Sequence, residues 1–215
     1  MDYTMKEYAP LLEAYSHDYY KMFIGDELDN KIIAEQYFEK YWLPEQEYLT
    51  KWKPLQDQIF VDQRNGIHEA IYLSTFEMLA LRGGVLFVQE GFEQLQSCIK
   101  TVGDKNIVII QNTFGYISSP PPFRMKFPVD ITWEEISSGD FISEAFLYVY
   151  LNEYFVFSES ASWGKYAASD TIFPLDLIGF KPEHALVFKE QFKQSEEERE
   201  EMKGWLPEKY KGLIV

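Results

Sequence analysis

A chain of 215 residues with 46% hydrophobic and 17% aromatic side chains has enough apolar surface to build a core, which excludes global disorder. Its 35 acids against 20 bases give a formal charge of -15, a field that repels phosphate backbones and anionic lipid, so neither nucleic acid nor membrane is an expected partner and a basic protein is. The single cysteine, Cys98, allows no intramolecular disulfide; with no signal-peptide pattern at the start and no run of about 20 apolar residues, a cytoplasmic protein is expected.

Tyr8, Leu11, Leu12, Tyr15, Tyr19 and Met22 recur at helical spacing and predict an amphipathic helix from Asp2 to about Met22, with Pro10 breaking its first turn. Asp29 or Asn30 can cap a second helix running to about Trp42, with Ile33, Tyr37 and Tyr41 on one face. Glu45–Leu55 reads as a short helix followed by a loop, because Pro44 and Pro54 interrupt it. Ser74-Thr-Phe-Glu has the form of a capping box and Gly83-Gly84 that of a helix stop, so a helix is expected between them. Val85–Val88 then reads as a short strand, Glu90–Thr101 as a helix with Phe92, Leu95 and Ile99 inward, and Asn106–Ile110 as a buried strand. That strand-helix-strand order suggests locally parallel pairing.

Gly115–Pro128 holds Pro120, Pro121, Pro122 and Pro128, which cannot serve central strands, and it is the candidate internal boundary of an otherwise single domain over residues 1–215. Thr132-Trp-Glu-Glu is a second capping box and starts a short helix. Tyr154–Phe157, Trp163–Ala168 and Phe173–Phe180 read as a three-stranded antiparallel meander. Pro182 opens a closing helix through about Lys193, which the glutamates up to Lys203 can prolong. The expected fold class is α+β: N-terminal helices, a central strand-helix-strand unit, and a C-terminal meander with a closing helix.

No glycine cluster has phosphate-loop or dinucleotide spacing, and no Gly-x-Ser-x-Gly elbow is present. Cys98 lies on the inner edge of a predicted helix and reads as a small core residue. His17, His68 and His184 are far apart and form no ligand pair, and Asp26–Tyr37 fails as a calcium loop because Lys31 and Tyr37 occupy its sixth and twelfth positions. No catalytic residue, metal or cofactor is assigned.

One stretch stands out. Between Phe127 and Gly164 lie seven acids, Asp130, Glu134, Glu135, Asp140, Glu144, Glu153 and Glu159, and no Lys or Arg. Trp133, Phe141, Phe146, Tyr148, Tyr150 and Tyr154 are interleaved with them, and exposed aromatics of these types anchor interfaces. The plainer reading makes the aromatics core and the acids a solvated outer face. On the first reading Asp130, Trp133, Glu134, Glu135, Asp140, Glu144, Glu153, Glu159 and Trp163 form a partner-binding surface.

Thr132-Trp-Glu-Glu-Ile, Glu153-Tyr-Phe-Val-Phe-Ser-Glu-Ser, Ser162-Trp-Gly-Lys-Tyr and Pro174-Leu-Asp-Leu-Ile-Gly, in that order, resemble bacterial immunity-type proteins of polymorphic toxin systems, the broad SMI1/KNR4-like group. The resemblance covers residues 130–180 and carries over no functional residue. It implies stoichiometric binding without turnover. The expected function is therefore a non-enzymatic acidic protein that neutralises a basic toxin or other basic partner. Two alternatives remain open: a hydrolase whose carboxylates converge from distant positions, and a structural or regulatory module that binds peptide or self-associates.

Overall fold

The computed structural model describes residues 6–14, 27–61, 71–83, 86–112, 122–138, 153–168, 175–206 and 208–214. Its centre is a six-stranded sheet of β1 (Glu77–Arg82), β2 (Asn106–Asn112), β3 (Arg124–Pro128), β4 (Glu153–Phe157), β5 (Trp163–Ala168) and β6 (Leu175–Phe180). The spatial order is β1-β6-β5-β4-β2-β3, and every neighbouring pair is antiparallel.

Side-chain alternation divides this sheet between two cores. Ile107, Ile109, Val156, Trp163, Ile178 and Phe180 face one, and Val108, Ile110, Phe155, Phe157, Tyr166 and Leu177 face the other. A sheet buried on both faces has near-continuous apolar strands, which is why Asn106–Ile110 and Tyr154–Phe157 are legible as buried strands. The first face is covered by α1 (Ala9–Ala14), α2 (Glu27–Tyr41), α5 (Gln89–Val102), α6 (Trp133–Ile136) and α7 (Ala185–Gln191). Against the second pack Trp52, from a π-helical turn (Tyr48–Trp52) joining α3 (Glu45–Glu47) to α4 (Lys53–Gln56), and residues of α8 (Glu196–Trp205) and α9 (Glu208–Lys211).

The second face depends on two glycines. Gly164 and Gly179 are register partners across β5 and β6. A Cβ on Gly179 would stand 2.5 Å from the Tyr72 ring, and one on Gly164 would stand 2.5 Å from the Phe60 ring. The absent side chains let both rings lie directly on the strands, and Tyr72 Oη donates to the carbonyl oxygens of Gly164 (3.0 Å) and Leu177 (2.5 Å).

The α+β class, the C-terminal meander, the helix bearing Phe92, Leu95 and Ile99, and the capping box at Thr132 all stand as expected. Other expectations are corrected. The segment after Ser74 is the strand β1, because Met78 and Ala80 enter one core while Leu79 enters the other, a period of two that a helix cannot present. The expected strand Val85–Val88 is corrected over its described residues: Leu86 and Phe87 are buried in the approach to α5, Val88 is its exposed N-cap, and Val85 lies outside the described residues. β1 and β2 do run parallel, but three strands stand between them, so they do not pair.

Pro128 ends β3, an edge strand where its missing N–H is tolerated, so 124–128 belongs to the sheet; residues 113–121 lie outside the described residues. Ile33 is exposed, and Ala34, Tyr37, Phe38 and Tyr41 form the inward face of α2. Ser195 does not continue the closing helix. Its hydroxyl accepts the Glu198 N–H while Glu198 accepts the Ser195 N–H, and this capping box starts α8 afresh. Of the first expected helix, α1 is described and residues 15–26 lie outside the described set.

Candidate functional site

The acidic stretch begins at α6, a single turn fixed from several directions. Thr132 Oγ1 accepts the Glu135 N–H at 3.2 Å and Glu135 Oε2 accepts the Thr132 N–H at 3.4 Å. From α2, Tyr37 Oη donates to the Ile136 carbonyl at 2.9 Å; from α5, Gln96 Nε2 donates to the Ile131 carbonyl at 2.7 Å. Ile131 and Ile136 are buried, and Trp133 is half-buried with its ring centre 5.9 Å from that of Phe92. These anchors leave Asp130 and Glu134 exposed, with no ion pair to either among the described residues. Glu135 is different: Lys40 pairs with it at 2.9 Å, and that cation, with the Thr132 amide, holds its carboxyl below the usual range.

Of the remaining acids, Glu159 serves the fold. Glu159 accepts from the backbone N–H of Lys105 (3.0 Å) and of Asn106 (3.1 Å), from Asn106 Nδ2 (3.1 Å) and from Ser158 Oγ (2.7 Å). Partial burial pushes its carboxyl up, but these hydrogen bonds outweigh burial and hold it low. Glu153 is half-buried on β4; burial pushes the Tyr166 hydroxyl up, and the Glu153 charge adds to it. Trp163 is corrected outright as a contact residue: it is fully buried, and its Nε1 donates to Asp104 Oδ2 at 2.8 Å. Asp140 and Glu144 lie outside the described residues.

Of the nine expected contact residues, Trp133, Glu134 and Glu135 share the α6 turn and Asp130 lies in the turn just before it, with the three acids exposed and Trp133 half-buried. The Lys105 backbone ties that turn to the Glu159 hairpin, since its carbonyl takes the Val129 N–H while its own N–H goes to Glu159. Both acidic segments therefore sit at the same end of the sheet.

A second polar centre escaped the sequence reading. Lys165 on β5 and Asp176 on β6 lie diagonally across adjacent strands and pair at 2.6 Å, both buried on the α5 and α7 side of the sheet. Lys165 Nζ also donates to the Leu86 carbonyl at 2.7 Å and lies 4.7 Å from the Phe87 ring centre. Burial raises the Asp176 carboxyl above its ordinary range, and Lys165 offsets this only in part. Both residues line a cavity of about 300 Å³. The signal for them was a charge inside an apolar strand pattern, Trp-Gly-Lys-Tyr and Leu-Asp-Leu-Ile, where an unpaired charge would be prohibitive.

Among the described residues no group of three or more His, Cys, Asp and Glu side chains could hold a metal ion. Cys98 is buried, with Sγ 3.7 Å from the Val187 carbonyl oxygen, and burial pushes its thiol up to about 12. His17 and His68 lie outside the described residues, and His184 sits in a 3-10 turn (Pro182–His184) ahead of α7. Among the described residues no helix is long and apolar enough to cross a membrane. The chain matches no family model, no curated protein and no solved structure.

Proposed function

We propose that this chain is a non-enzymatic acidic binding protein of the immunity type, which neutralises a basic toxin domain or other basic protein by occupying its cationic surface. The observation that carries the reading is the turn at α6. A half-exposed tryptophan stands between two exposed acids that lack a compensating cation among the described residues, on a backbone fixed by the capping box, Tyr37 and Gln96.

Such a turn is pre-organised, so little ordering entropy is lost on association. Trp133 supplies an anchor of a type enriched at binding hot spots, and the -15 net charge accelerates encounter with a basic surface. The test is stopped-flow association with a basic protein that co-purifies with this chain, at 20 and 200 mM salt. Asp130→Lys/Glu134→Lys is expected to lower the association rate about tenfold at low salt and flatten its salt dependence, whereas Trp133→Ala acts on dissociation. An unchanged association rate in the charge-reversed variant would remove this face from the proposal.

A further inference from the structure

The cavity beside Lys165 and Asp176 has a chemistry independent of the acidic turn. Its volume of about 300 Å³ is at the lower end of the roughly 300–1,000 Å³ typical of small-molecule sites. Leu81, Leu95, Ile178 and Phe192 give it apolar walls, while Arg82, Glu90 and Lys193 are exposed at its rim.

Its buried polar groups are unevenly satisfied. The three protons of the Lys165 ammonium are directed to the Leu86 carbonyl, to Asp176 Oδ2 and toward the Phe87 ring. Asp176 has only the Lys165 bond: Oδ1 is buried and has no hydrogen-bond partner. A carboxylate accepts up to about four hydrogen bonds, so what this centre lacks is a donor. It does not lack charge, because the pair is already balanced. A cation added among Leu, Ile and Phe would leave a net buried charge.

We propose that this cavity binds a small, largely apolar, uncharged molecule that presents one N–H or O–H donor to Asp176. Oδ1 is tucked under Gly83, where a Cβ would collide with it. The carboxylate torsion is broad, so a partial rotation can turn the free oxygen to the ligand while the other keeps Lys165. Glycine at position 83 leaves the slack for that turn. The ligand's donor then satisfies a buried acceptor that the folded chain leaves open, which is the strongest kind of discrimination a small site can make.

The test uses the full chain labelled with ¹⁵N and three probes of similar size. Indole carries an N–H donor, benzofuran has the same shape without one, and benzylamine is a cation. Indole at millimolar concentration is expected to shift the Gly83 and Gly91 amides and to bind at least tenfold tighter than benzofuran and benzylamine. A variant that fills the cavity without unfolding the chain provides the control. A Cβ on Gly91 would meet only Val88 Cγ2, at 3.7 Å, and lies in the first turns of α5, so the helix accommodates the new carbon and Gly91→Leu is expected to abolish the Gly83 shift. Discrimination below tenfold against benzofuran overturns the donor assignment. Benzylamine binding as tightly as indole overturns the uncharged class. Absence of shifts at Gly83 and Gly91 in the wild type, or survival of the Gly83 shift in Gly91→Leu, overturns the site. None of these results bears on the acidic turn at α6.

Discussion

Replacing Lys165 by methionine isolates the energetics of the buried pair. In the wild type the Asp176 carboxylate is desolvated and held by one cation, 2.6 Å away; methionine keeps the apolar stem and removes that cation. The native variant must then either bury an unpaired carboxylate or keep it protonated. An unfolded aspartate titrates near 3.9, and holding its proton at pH 7 costs about 1.4 kcal/mol for each of roughly three units, which sets a ceiling of about 4 kcal/mol. The sign follows from proton counting. The native variant binds a proton that its unfolded chain has released, so its stability relative to wild type falls as pH rises. Urea denaturation followed by tryptophan fluorescence should show the penalty growing by about 2–3 kcal/mol between pH 5.5 and 7.5. Lys165→Met/Asp176→Asn, which has no carboxyl to titrate, should lose that pH dependence. A Lys165→Met penalty that is equal at both pH values would mean that water reaches Asp176, and the desolvated-pair argument would fail.

Three further outcomes test the fold around the sites. Glu159→Ala strands the Lys105 and Asn106 amides and should destabilise by about 1–3 kcal/mol in urea titrations. Because the native Glu159 carboxyl is held below its ordinary range, its contribution is present above an unfolded value near 4.3 and is lost as pH falls through the folded one, so variant and wild type should converge in acid. Gly179→Ala drives a methyl into the Tyr72 ring, which two carbonyls hold in place, and should cost about 1–3 kcal/mol; Gly204→Ala in α8, with nothing within 4 Å of the new carbon, should gain about 0.5–1 kcal/mol. Equal midpoints for those two would refute the steric account. Cys98, with its thiol pushed up to about 12 and buried, should resist iodoacetamide in the native state and react only on unfolding; labelling at the rate of a free thiol would contradict its placement.

What the sequence revealed followed from how local each signal was. The Thr132 box closes within four residues, and α5 alternates at helical period with Phe92, Leu95 and Ile99 inward, so both were readable in place. The Ser74 box failed because its form is not sufficient: pairing of Glu77–Arg82 with β6, almost a hundred residues later, overrode it. The acidic face suffered from the same blindness to distance. Counting acids along the chain weighted Glu159 and Asp130 alike, yet the amides that claim Glu159 belong to residues 105 and 106, and the carboxylate that claims Trp163 is Asp104. Among the described residues, only the segment around the turn fixed by its own capping box kept the exposure that its composition suggested.

The sheet also limits how a partner can dock. Peptide recognition by strand addition needs an open edge with free N–H and C=O groups. At the β3 edge the Leu43 N–H already takes the Arg124 carbonyl, at 2.8 Å, with Trp42 bridging Met125. At the β1 edge the Met78 N–H goes to the Leu213 carbonyl at 3.1 Å, as the C-terminal segment runs alongside. Each edge is thus engaged by the chain itself at one point, and both faces are buried. Side chains on helices and turns remain open to a partner. On the binding function proposed above, recognition there is carried by charge and by half-exposed aromatics, and the segment holding Asp130, Trp133 and Glu134 combines the two beside a capped turn.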